Sequence, residues 1–233
     1  MDNISISFAT KLYVIYQEAK DIISVKKHME PFISELFDVY QEPATKYFEN
    51  RKEYNVKMMV IARAMVDKLT NLALEKNISA EFVMTSSLNA DTNLIGDSDI
   101  DISMLISDCN DKNAETIGQF LASLGFEYKK LSNPAQQLNC YYSFIMVKNG
   151  IEFEIKVRDR IESQLVLQLH KYIEEKSTLV ERMAITYGKY IFKNLSLNGT
   201  TEAEKLSYCL FKKLVYEMYF AEINGGFMLE LHY

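Results

Sequence analysis

Two aspartates set two residues apart, Asp99 and Asp101 in the run Asp97-Ser98-Asp99-Ile100-Asp101-Ile102, are the residues best placed to do chemistry. A strand alternates its side chains between faces, so both carboxylates project to one side a few ångströms apart. Held that close they repel unless positive charge lies between them. Mg²⁺ or Mn²⁺ supplies it, because hard divalent cations favour oxygen ligands. Ile100, Ile102, Met104, Leu105 and Ile106 bury the strand and fix the acids at its start. Asp97 reads as a turn residue that caps and solubilises the strand. The pattern predicts a divalent-metal site suited to phosphate chemistry.

Upstream stands a second apolar run, Phe82-Val83-Met84, closed by Thr85-Ser86-Ser87. A strand, a pair of small residues, a polar turn and Ser-Asp-Ile-Asp opening the next strand together resemble the nucleotidyltransferase superfamily. That group includes polymerase β, poly(A) and poly(U) polymerases and the antibiotic nucleotidyltransferases. The small pair in the family is Gly-Ser or Gly-Gly, and its serine contacts nucleotide phosphates. Ser87 matches that serine, whereas Ser86 stands where the family has glycine, so a Cβ occupies space used for close backbone approach. The resemblance implies that Ser86 and Ser87 contact the nucleotide and that Asp99 and Asp101 hold two metals. It also implies a third carboxylate on a later strand.

That strand is sought beside a turn. Tyr141 to Val147 is rich in aromatic and β-branched residues, Lys148-Asn149-Gly150 follows, and Asn-Gly signals a hairpin. The return run alternates strictly: Ile151, Phe153, Ile155 and Val157 on one face, Glu152, Glu154, Lys156 and Arg158 on the other. A half-solvated sheet face accounts for the pattern equally well. Glu154 is preferred to Glu152 as the third acid because it lies deeper in the strand. Lys156 and Arg158 are then candidates to neutralise phosphate, with cross-strand pairing to the glutamates as the other reading.

The resemblance implies in-line transfer of NMP from a nucleoside triphosphate to an acceptor hydroxyl, with Asp99, Asp101 and Glu154 as catalytic metal ligands. An RNA 3′ end is the acceptor favoured. Small-molecule or protein acceptors remain open, as does a catalytically degenerate scaffold subunit suggested by Ser86. Glu154-Ile155-Lys156-Val157-Arg158 also faintly resembles the glutamate strand of alarmone synthetases, which share the fold. A glycosyltransferase using Asp-x-Asp ranks low, since no Rossmann-like strand–helix alternation precedes the motif.

The surrounding elements predict an α+β chain in three zones. Residues 1–78 form a helical lead-in that packs on the core, 79–158 an α/β catalytic core with a small mixed sheet, and 159–233 a helical C-terminal region. In the first zone Pro43 opens a long helix with a stripe of Tyr47, Tyr54, Met58, Ile61, Met65, Leu69 and Leu72. In the second, a helix from Lys112 to Leu124 is stopped by Gly125, and a short strand spans Phe126 to Tyr128. In the third, Thr178-x-x-Glu181 and Thr201-x-x-Glu204 are capping boxes. Asn224-Gly225-Gly226 ends the last helix, and Phe227 to Leu231 reads as a strand, a docking tail or part of an interface. Lys129-Lys130 reads as a solvated pair.

Composition narrows the class. A chain of 233 residues, 48% hydrophobic, can bury a full core and a helical extension. Its net charge of −6 gives no global basic footprint for nucleic acid, leaving a local basic groove or a protein partner to supply one. Cys109, Cys140 and Cys209 are isolated, and His28, His170 and His232 lack ligand spacing, so disulfides and zinc are not expected. No apolar stretch reaches membrane-spanning length and the first residues carry no signal pattern, so a cytoplasmic location is expected.

Overall fold

The computed structural model describes residues 3–96, 99–107, 111–129, 140–161 and 163–224. Asp97, Cys109, Lys130, Gly225, Gly226, His232 and the segment from Phe227 to Leu231 therefore lie outside the described residues. The elements run α1 (Asn3–Glu18), α2 (Ile22–Asn50), α3 (Lys52–Glu75), β1 (Glu81–Met84), β2 (Ile100–Ile106) and α4 (Asp111–Ser123), then β3 (Glu127–Lys129), β4 (Cys140–Lys148) and β5 (Ile151–Asp159). Three helices follow: α5 (Gln164–Lys176), α6 (Leu179–Asn198) and α7 (Glu202–Asn224). The class is α+β, with seven helices and a mixed sheet among the described residues.

Contacts divide the chain into two compact units assembled from non-consecutive segments. One contains the helices up to Glu53 and those from Lys171 onward; the other runs from Tyr54 to His170. In the helical unit, Phe8, Phe32, Phe192 and Phe211 form a buried aromatic centre, with Phe192 and Phe211 ring centroids 4.9 Å apart. Three helix starts, those of α2, α6 and α7, are fastened by side chains. The Asp21 carboxylate accepts from the Ser24 amide at 2.7 Å, and Thr178 with Glu181 makes the expected reciprocal capping box. Thr201 and Glu204 do the same for α7.

The long helix expected from Pro43 is interrupted. Pro43 lies inside α2, just past Tyr40, whose backbone leaves the helical region (φ −114°, ψ 24°). The proline ring displaces the carbonyl four residues back, which accounts for a kink at this place. A second break separates α2 from α3 at Arg51, which is buried with its guanidinium 4.4 Å from the Phe48 ring centre. Within α3 the buried stripe is Met58, Ala62, Met65, Leu69 and Ala73, so Ile61 points outward and the small Ala62 faces the core.

The sheet of the second unit has the order β1-β2-β5-β4-β3. Only the β2–β5 pair is parallel; β1–β2, β3–β4 and β4–β5 are antiparallel. Asn149 and Gly150 both take positive φ, 53° and 76°, as a two-residue hairpin turn requires, and they bring Lys148 opposite Ile151. Strand alternation then sorts the sheet into two faces. Ile100, Ile102, Met104, Phe153, Ile155, Val157 and Phe144 join one buried cluster with the stripe of α3 and with Ile117, Phe120 and Leu121 of α4. Gly125 ends α4 with φ 91°, a left-handed position that suits glycine, and β3 begins two residues later. The polar residues of β2, β4 and β5 fall on the opposite face.

Candidate functional site

The parallel register of β2 and β5 places Asp101 directly opposite Glu154 and Ser103 opposite Lys156. The hairpin places Ser143 opposite Lys156, and β3 places Lys129 opposite Ser143. Four strands thus contribute two adjacent polar rows, Lys129, Ser143, Lys156 and Ser103 in one, Glu154 and Asp101 in the other. Ser103 and Ser143 are fully buried, and Glu154 is only 8% exposed. Carboxylates withdrawn from water to this degree need positive partners and hydrogen bonds.

Those partners are present. The Lys156 ammonium donates to Asp101 Oδ1 at 2.8 Å and stands 3.7 Å from Glu154 Oε2. The other oxygen of Glu154 accepts from Ser143 Oγ at 2.6 Å and has the Lys129 ammonium 3.5 Å away. Lys129 also reaches Glu152 Oε1 at 4.0 Å. Burial pulls the Lys156 pKa down, yet the negative charges of Asp101 and Glu154 outweigh it, so the ammonium is held protonated above its ordinary range. Beyond this pair the row is built from hydroxyls: Thr85 Oγ1 lies 3.1 Å from Ser103 Oγ.

Asp99 is exposed and stands one residue ahead of β2. Its carbonyl accepts from Ser86 Oγ at 3.4 Å, which ties the β1–β2 loop to the entrance of β2. Ser86 is buried; its hydroxyl also accepts from the Leu88 amide at 3.1 Å, a local turn that its Cβ permits. Ser87 is half-buried and its carbonyl accepts from the Thr92 amide at 2.9 Å. Arg158 is buried on β5, across from Leu105.

The sequence-expected residues are therefore brought together unequally. Asp101, Glu154 and Lys156 meet within one hydrogen-bonded cluster. Ser86 and Ser87 lie on the loop leading into it, while Asp99 sits at its margin. Among the described residues, no group of three or more His, Cys, Asp or Glu is drawn together in a form that could hold a metal. The donor chemistry nevertheless fits a hard cation: two carboxylates face each other from adjacent strands, and a single positive charge lies between them.

Ser143 and Lys129 were not singled out by the sequence. Lys129, read there as part of a solvated pair, keeps an exposed side chain while its ammonium turns to Glu154. Ser143 had a legible signal. Counting back from a two-residue Asn149-Gly150 turn sets Ser143 against Lys156, on the face that carries Glu154. A third feature has no such signal: Asn55 of α3 donates to Asp91 at 2.6 Å and accepts from Asn93 at 2.9 Å, clamping the β1–β2 loop to that helix.

No protein-family model and no curated protein matches this chain. Among solved structures it is similar to the Cid1 poly(U) polymerase bound to MgGTP. That match has 21% identity and a TM-score of 0.46, and covers 72% of this chain and 54% of that one. It is also similar to a cytoplasmic RNA terminal U-transferase, at 20% identity and a TM-score of 0.43, over 70% of this chain and 52% of the other. Cid1 in complex with its short product ApU gives 21% identity and a TM-score of 0.44. The chain spans about half the length of the solved structures it matches.

Proposed function

We propose that the chain is a metal-dependent nucleotidyltransferase that moves NMP from a nucleoside triphosphate to an acceptor hydroxyl, with an RNA 3′ end as the acceptor. The observation that carries this reading is the register of Asp101 against Glu154 on parallel strands, both partly or wholly withdrawn from water and sharing one cation. Neutral packing would be a cheaper way to fill that space, which favours a binding role for the acids. Asp101 and Glu154, joined by Asp99 from the entrance of β2, would hold Mg²⁺ or Mn²⁺. Such an ion supplies acidity to an acceptor hydroxyl and offsets charge on a departing pyrophosphate.

The chain's own residues do the positioning. Ser143 fixes one oxygen of Glu154 and leaves the other 3.7 Å from the Lys156 ammonium that also binds Asp101. The Ser86-Ser87 turn, tied back to Asp99 through its hydroxyl, presents the β1–β2 loop beside the acids, where it would meet the phosphates. Lys156 and Arg158 bring positive charge to the same face for the triphosphate.

The test is incubation of the purified protein with each α-labelled NTP in turn, Mg²⁺ or Mn²⁺, and single-stranded RNA. Label growing on the RNA is the expected result, and Asp101→Asn, at a partly exposed side chain, should abolish it at a stability cost of no more than about 3 kcal/mol. Full turnover in Asp101→Asn overturns the site. One observation favours a second reading: Lys156 already neutralises the pair, as suits a nucleotide-binding subunit that performs no transfer. Nucleotide affinity that Mg²⁺ and Mn²⁺ leave unchanged, without labelling of RNA, small-molecule or protein acceptors, would select that reading.

A further inference from the structure

The cation between Asp101 and Glu154 is covalently part of the chain, and its origin matters. Lys156 lies two residues beyond Glu154 on the same face of β5, opposite Ser103 rather than Asp101. Its side chain must reach back one row to place the ammonium 2.8 Å from Asp101. A serine or other neutral residue at this place would leave the acids facing each other. With Lys129 shared between the far oxygen of Glu154 and Glu152, the cluster holds three acids and two ammonium groups, so the charge between Asp101 and Glu154 is already met in large part from within the chain. A divalent ion added to it as it stands would meet the Lys156 ammonium at contact distance, and the two like charges repel strongly there.

We infer that Lys156 is a built-in competitor for the divalent cation at Asp101 and Glu154, so that metal enters together with a nucleoside triphosphate whose phosphates take over the displaced ammonium. The inference rests on the reading of these acids as a metal site and adds the order in which its ligands load. A lysine suits this exchange because its flexible stem lets one charge serve two partners in turn, whereas a guanidinium fork is fixed to one. The free protein then binds metal weakly, and metal and triphosphate raise each other's affinity by the same factor.

The experiment is Mn²⁺ binding, followed by electron paramagnetic resonance and calorimetry, with and without a non-hydrolysable α,β-methylene NTP. Wild type, Lys156→Met, Lys156→Gln and Lys156→Met combined with Asp101→Asn are compared, each checked for native circular dichroism. Without nucleotide, both single variants should bind Mn²⁺ at least about tenfold more tightly than wild type. Nucleotide should tighten Mn²⁺ binding in wild type and much less in either variant. Equal or weaker Mn²⁺ binding by both single variants, with wild type binding measurably, overturns the competition while leaving the metal site standing. Absence of Mn²⁺ binding in every protein, or affinity in Lys156→Met that survives Asp101→Asn, overturns the metal site and the competition with it.

Discussion

Ser143→Ala isolates the contact that orients Glu154. The hydroxyl is fully buried and donates to Glu154 Oε1 at 2.6 Å. In its absence that oxygen keeps, among the described residues, the Lys129 ammonium at 3.5 Å, at the outer edge of hydrogen-bond reach. A hydrogen bond to a charged group contributes about 1.5–3 kcal/mol, and the methyl side chain of alanine offers no replacement. The variant should therefore lose about that much stability in the sheet unit. The chain has no tryptophan, so the direct readout is amide hydrogen exchange at Phe153 and Ile155, central in β5, followed as a function of urea. A double-mutant cycle with Glu154→Gln separates charge from packing. Against a neutral amide the same serine contributes only about 0.5–1.5 kcal/mol, so Ser143→Ala should cost less in that background. Equal cost in both backgrounds would refute the reasoning, because Ser143 would then act through packing alone.

Two further outcomes concern the helical unit. A methyl group built on Gly188 of α6 would lie 2.5 Å from Phe211 Cζ and 2.9 Å from Leu36 Cδ2, and the Phe211 ring is fully buried. Overpacking costs about 1–3 kcal/mol and the helix-propensity gain of alanine returns up to about 1, so Gly188→Ala should lower the thermal midpoint, and an unchanged midpoint would mean the ring can move aside. At the start of α7, backbone donors from Thr200 and then Thr201 hold the Glu204 carboxyl below its ordinary 4.5. A depressed carboxyl stabilises the fold above the unfolded value and loses that effect as pH falls through the folded value. The urea-midpoint gap between wild type and Glu204→Gln should thus be widest at neutral pH and close well below pH 4.5; a gap independent of pH would discard the charged cap.

What the sequence made legible was local and periodic. Alternation along β5 sorted Glu152, Glu154, Lys156 and Arg158 to one face, and Asn149-Gly150 set the β4–β5 register because both positions adopt positive φ. The Thr-x-x-Glu boxes worked for the same reason: a hydroxyl and a carboxylate three residues apart satisfy each other's backbone donors wherever the helix goes. The helix break at Arg51 had no such signal. Asn50-Arg51-Lys52 contains no strong breaker, and the chain turns there with a guanidinium buried beside Phe48, which is a tertiary condition.

The hardest residue to read was the one that decides the chemistry. Lys156 stood in the sequence as a charge on the correct face, equally suited to phosphate, to a glutamate or to water. Which of these it meets depends on the parallel pairing of β2 with β5, a contact between segments some fifty residues apart that no local pattern encodes. Once the register brings Asp101 level with Glu154, electrostatics leaves little choice. Two carboxylates on neighbouring strands require a cation, and in this chain the nearest one is carried two residues downstream on the same strand. The acids alone specify an affinity for positive charge. The lysine makes that affinity conditional on something arriving to accept its own.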